Sequence, residues 1–251
     1  MSDPGGQTSP SHQTSPSRPP SMWGPAIAGG VVGALLTGVL GAALAPTLVG
    51  PKAVREALIA DPQMLLDAGE ALRDRQYAPV LAANRIALET PFASSWKGAA
   101  KPDVTLVEFY DYACGYCRKM LPDVERLLAE DKSLRVVFRE LPILGPNSVA
   151  AARVALAASK AGKFAAYHDA LYAAGSPTPE SIAAVAAQVG LPGTPVDSPD
   201  YEAELKRNFQ LAGQLGATGT PLFVIGDRVI NAAIGYDALK KAVADARIRK
   251  S

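Results

Sequence analysis

The seven residues Val104-Thr105-Leu106-Val107-Glu108-Phe109-Tyr110 run almost without interruption through aliphatic and aromatic side chains. Such a run reads as a largely buried strand. Beyond it, from Arg118 to Leu128, apolar side chains return with helical spacing, so that Leu121, Val124, Leu127 and Leu128 share one face. The chain must therefore pass from strand to helix between Tyr110 and Arg118. The only two cysteines of the 251 residues, Cys114 and Cys117, lie in that passage, one helical turn apart. Cys114 falls at or just before the first turn, where free backbone N–H groups and the positive end of the helix dipole favour a thiolate.

A thiol of ordinary pKa, about 8.5, is only about 3 % ionised at neutral pH, and bringing it below about 6 takes roughly 3 to 4 kcal/mol. A helix terminus supplies about 1 to 2 kcal/mol, so other donors must contribute. The candidates are the Cys117 S–H, the amides of Tyr116 and Cys117, and Arg118, which is on the helical face of Cys114. Cycling between dithiol and disulfide is the reading that uses this junction. A structural disulfide would close too short a loop to stabilise much, and inert buried cysteines would not need the helix start. Half of a zinc site would have to find its other ligands in His12 and His168, which lack metal-site spacing, or in a second chain.

The stretch Val107-Glu108-Phe109-Tyr110-Asp111-Tyr112-Ala113-Cys114-Gly115-Tyr116-Cys117 resembles the active-site segment of DsbA-like thiol-disulfide oxidoreductases. A second match is Gly219-Thr220-Pro221-Leu222-Phe223-Val224-Ile225-Gly226, similar to the loop and strand that carry that family's cis-proline. The resemblance covers roughly residues 91 to 251. It implies an α/β thioredoxin fold with an inserted helical domain, here at about 142–217. It also implies Cys114 as nucleophile, Cys117 as resolving thiol, Pro221 packed against the disulfide and Glu108 as a buried proton relay. Thr220 would offer its backbone to an extended substrate, with Tyr116 beside it as a further substrate contact. Strong oxidases of the family have histidine where Tyr116 stands, so a less oxidising disulfide is expected, and isomerase or reductase work stays open beside oxidase work.

Before that domain the chain changes character twice. Residues 1–24 are dominated by Pro, Ser, Gly, Gln and Thr and read as a disordered tail. No ionisable residue occurs between Pro19 and Pro51, and the apolar run within 25–50 is long enough to span a hydrocarbon core of about 30 Å. It is expected to act as an uncleaved transmembrane anchor. Ala43-Leu44-Ala45 offers the alternative of a cleaved signal, although Pro46 is a poor residue after a cleavage site. Residues 51–90 form a short helical region, with Asp61-Pro62 opening a helix whose Met64, Leu65, Ala68 and Leu72 are expected to face inward. This region resembles the N-terminal part of copper-sensitivity suppressor C-type proteins, which implies self-association through it, and the stripe Gly29, Gly33, Thr37, Gly41 and Ala45 suits close helix–helix approach in the span before it, so self-association is expected through residues 25–90.

A net charge of +1 with no basic run argues against a nucleic-acid partner. The family chemistry needs no cofactor or metal beyond the redox-active pair Cys114–Cys117. Expected partners are cysteine-containing extracytoplasmic proteins and a DsbB-like or DsbD-like membrane redox protein. The expected location is the inner membrane, single-pass, with the catalytic part in the periplasm, or the soluble periplasm after cleavage. The competing function is a non-catalytic chaperone or copper-handling module that uses the two cysteines as ligands.

Overall fold

The computed structural model describes residues 50–191 and 198–250. The tail at 1–24 lies outside the described residues, and so does the apolar span at 25–50 apart from Gly50. Among the described residues no helix is long and apolar enough to cross a membrane.

Contacts divide the chain into two units after Leu65. In the first, α1 (Pro51–Ala60) starts on a proline and ends at Asp61. The Asp61 carboxylate then accepts the Gln63 N–H at 3.1 Å and opens α2 (Gln63–Glu89), which from Leu66 onward belongs to the second unit. Met64, Leu65 and Leu72, expected to face inward, are exposed. Amphipathic spacing shows which face is apolar, and says nothing of whether another surface covers it.

The second unit is built on a five-stranded sheet in the order β1-β3-β2-β4-β5. β1 (Trp96–Gly98) is an edge strand antiparallel to β3 (Leu134–Glu140), and β2 (Val104–Tyr110) runs parallel to β3 in the middle of the sheet. The crossover between β2 and β3 is α3 (Gly115–Glu130). On the other side of β2 come the antiparallel β4 (Leu222–Ile225) and β5 (Arg228–Ile230), and the chain closes with α8 (Tyr236–Lys250). The turn from β4 to β5 uses Gly226 at φ 55°, where a Cβ would lie 3.0 Å from that of Ala246. Every residue of β2 is buried because both of its faces are covered, which is why its apolar run does not alternate.

Among the described residues, four helices lie between β3 and β4: α4 (Pro146–Lys160), α5 (Phe164–Ala173), α6 (Pro179–Gln188) and α7 (Pro199–Gln214). Three of the four begin on proline, whose missing N–H costs nothing at that position. Thr178 caps α6 by accepting the Ser181 N–H at 3.1 Å, whereas Ser198, in the same sequence position before α7, makes no side-chain capping bond. One face of the sheet, bearing Leu106, Tyr110, Val136, Phe138 and Phe223, packs on α3, α4 to α6 and α8. The other, bearing Val107, Phe109, Val137, Leu222 and Val224, packs on Leu81 and Leu88 of α2 and on Leu211 and Ala212 of α7.

Candidate functional site

β2 ends at Tyr110, and its direction is handed to α3 through Asp111-Tyr112-Ala113. Cys114 is the residue that caps α3, with extended backbone (φ −76°, ψ 118°), and its carbonyl accepts the Arg118 N–H at 3.1 Å. Cys117 follows within the first turn. Both thiols are free, Cys114 keeping 6 % of its surface and Cys117 only 1 %. The Cys114 Sγ donates to the Thr220 carbonyl at 3.2 Å, and the Thr220–Pro221 peptide bond is cis. Pro221 is buried immediately before β4, so two segments far apart in sequence meet at one sulfur.

The two cysteines are made unequal by depth. Burial, reinforced by the nearby Glu108 carboxylate, pushes the Cys117 thiol well above its ordinary range, so Cys117 holds its proton until something removes it. Glu108 alternates with Leu106 and Tyr110 on the face of β2 that α3 covers, and it is buried. Burial pushes its carboxyl pKa up to about 8, with Lys97 drawing it down and Glu125 adding to the rise. A carboxyl of that pKa, beside a protonated thiol, can accept and return a proton near neutrality.

Stability should record this burial. The folded chain keeps the Glu108 proton up to about pH 8, while an unfolded carboxyl loses it near pH 4.5. Between these values the folded state binds more protons, so this group makes stability fall as pH rises, and below pH 4.5 its contribution vanishes. Glu108→Gln is therefore expected to stabilise the protein at pH 8 by on the order of 2 to 4 kcal/mol, with the gain fading toward acid. Urea unfolding across this range checks it, and a difference that ignores pH would contradict the assignment.

Sequence reasoning missed Asp111. Its carboxylate is buried and accepts three backbone N–H groups, from Ala113 at 2.8 Å, Ile143 at 2.8 Å and Leu144 at 2.9 Å. The Tyr172 hydroxyl donates to its carbonyl at 3.2 Å. Asp111 thus ties the cysteine loop to the loop after β3, whose Ile143 and Leu144 side chains are exposed. The signal for it was an aspartate between a strand end and a helix cap, where such residues bond to nearby backbone. The Arg118 Nη2 donates to the Tyr112 carbonyl at 3.3 Å. Tyr116 is 67 % exposed beside the pair.

His168 is packed rather than placed at the sulfurs. It is buried among Tyr110, Tyr112, Phe138, Phe164 and Tyr172, its Nδ1 lies 3.3 Å from the Tyr112 hydroxyl, and burial pushes its pKa down so that it stays neutral. His12 lies outside the described residues. Among the described residues no cluster of three or more His, Cys, Asp or Glu side chains is set to hold a metal ion.

Similarity to known proteins agrees with this geometry. The family model for the DSBA-like thioredoxin domain matches residues 105–244. The catalytic domain of Proteus mirabilis ScsC superposes with a TM-score of 0.64 at 29 % identity, over 68 % of this chain and 98 % of that one. A periplasmic thioredoxin-like protein from Salmonella enterica serovar Typhimurium gives 0.60 at 33 % identity, over 65 % and 95 %. A curated relative, the Na(+)/H(+) antiporter NhaA 3 of Salinispora tropica, is 34 % identical over 155 residues, 61 % of this chain. The chain spans only 22 % to 34 % of the curated relatives it matches. With the family model covering more than half of its length and its cysteine pair set against the cis-proline loop, the chain belongs to the DSBA-like thioredoxin domain family.

Proposed function

We propose that the protein is an extracytoplasmic thiol-disulfide oxidoreductase that exchanges disulfides with other polypeptides through Cys114 and Cys117. The observation that carries this is the Cys114 sulfur at the helix cap, 3.2 Å from the Thr220 carbonyl and next to Pro221. In the reducing direction the Cys114 thiolate attacks one sulfur of a substrate disulfide, that S–S bond breaks, and one substrate thiolate leaves. Cys117 then gives its proton to Glu108 and attacks the Cys114 sulfur. The second substrate thiolate leaves, the substrate has gained two electrons, and the chain holds the Cys114–Cys117 disulfide. Oxidase work runs these steps in reverse from the disulfide form, whereas isomerase work starts from the Cys114 thiolate and ends when another substrate thiol attacks the mixed disulfide and releases it.

Thr220, with its carbonyl facing the sulfur, supports strand-like docking of an extended substrate, and Tyr116, Ile143 and Leu144 supply exposed apolar contacts around it. The pair is restored by a DsbB-like or DsbD-like membrane redox protein, and no cofactor beyond the pair takes part. Periplasmic location follows the relative described as periplasmic, with the apolar span at 25–50 as an inner-membrane tether. The exposed Val54, Ile59, Met64 and Leu65 of the first unit support self-association through residues 25–90. Transport activity is not carried over from the antiporters, since the match spans so little of their length.

Insulin reduction and refolding of scrambled ribonuclease test the proposal. Wild type is expected to catalyse at least one of them, and Cys114→Ser to fall to background. Catalysis of neither, together with tight Cu(I) binding, would favour the non-catalytic copper-handling module instead.

A further inference from the structure

The surface beside Cys114 is unbalanced in charge. Arg118 is four residues along the helix that Cys114 caps, and helical side chains lean toward the N-terminus. Its guanidinium does so, reaching back over the first turn to the Tyr112 carbonyl at 3.3 Å. Its Nε is buried with no acceptor, and among the described residues no carboxylate lies within ion-pairing distance of Arg118 or of the exposed Lys119. Of the acids near in sequence, Asp111 is buried and accepts three N–H groups, Glu108 is buried under α3, and Asp123, one turn beyond Lys119, forms no ion pair with either cation. Most arginines of this domain are paired; Arg85, Arg126, Arg139, Arg153, Arg207, Arg228 and Arg247 all meet carboxylates. Arg118, beside the nucleophile, is among the exceptions and bonds only a carbonyl.

We propose, building on the exchange function above, that Arg118, assisted by Lys119, selects polypeptide substrates that carry a carboxylate side chain next to the cysteine that exchanges with Cys114. A substrate strand held by the Thr220 backbone with its sulfur at Cys114 lays its flanking side chains over the start of α3. A carboxylate there meets guanidinium donors and the unpaired amides of the first turn, while an ammonium meets two like charges.

The test uses the full chain and two peptides, each with one mixed disulfide, that differ only in Glu or Lys beside the cysteine. Wild type is expected to favour the Glu peptide about tenfold in kcat/KM, the equivalent of about 1.4 kcal/mol. Arg118→Gln should bring the ratio to about twofold or less, and Arg118→Glu should reverse it. Raising salt to about 0.5 M should erode the preference. Lys119→Gln, a change at an exposed position, provides a variant that leaves the Tyr112 contact intact and should shrink the ratio partway. Equal rates for the two wild-type substrates overturn the inference while leaving the exchange function standing. An Arg118→Gln variant that slows both peptides by one factor and keeps their ratio also overturns it, because the arginine then only tunes the thiolate. Exchange with neither peptide overturns both readings together.

Discussion

Arg139→Ala is expected to cost the domain about 3 to 5 kcal/mol, a large share of the roughly 5 to 15 kcal/mol that holds a domain folded. Arg139 stands on β3 with 2 % exposure and joins three elements. Its Nη1 donates to Glu204 at 3.0 Å and to Asn208 at 2.9 Å, both on α7. Its Nε and Nη2 donate to the Leu88 carbonyl, each at 3.1 Å, and Nη2 also to the carbonyls of Thr90, at 2.8 Å, and Ala87. These carbonyls belong to the end of α2, where the helix itself offers no donors. Removing the guanidinium strands them, and it leaves the Glu204 carboxylate buried with only the outer Arg207 at 3.0 Å. Urea unfolding measures the loss. The double variant Arg139→Met with Glu204→Leu should recover the part of it that comes from the stranded charge, while the carbonyls at the end of α2 stay without their donor. A single variant that unfolds within about 1 kcal/mol of wild type would show that the network is not what docks α2.

Cys117→Ser is the second large effect. Cys114 retains its exposure and its place at the cap, so the first exchange step survives, while the step that releases the substrate has lost its nucleophile. An intramolecular thiol acts at an effective concentration that external thiols do not approach, so turnover should drop by about a thousandfold or more. Substrate should accumulate as a mixed disulfide on Cys114, visible as a mass-shifted adduct that a reductant removes. Cys114→Ser should give no adduct, since the remaining thiol is 1 % exposed and held protonated by burial. An adduct of equal yield from both variants would contradict the division of roles between the two sulfurs.

Much of the fold was legible because the relevant signals are local. The apolar run from Val104 to Tyr110 followed by helical spacing dictates a strand-to-helix junction, and β2 does give way to α3 there. The helix beginning at Pro179 was announced by Thr178, which does cap it. Other features depend on what the fold brings, or does not bring, to a side chain. Met64, Leu65 and Leu72 are apolar on one helical face, yet that face is bare. Arg118 has the spacing to lie near Cys114, and the fold gives its Nη2 the Tyr112 carbonyl as acceptor. Asp111 looked like an ordinary turn residue until the loop carrying Ile143 and Leu144 folded back onto its carboxylate.

The residues alone determined that two thiols would sit at a helix start behind an apolar strand, since backbone periodicity and capping depend on near neighbours only. What tertiary structure decided was the inequality of those thiols. The Thr220 carbonyl arrives at Cys114 from 106 residues away, and the sheet buries Cys117 beside Glu108. Desolvation depends on everything packed around a group, and that is set when strands and helices close on each other rather than by the order of the letters.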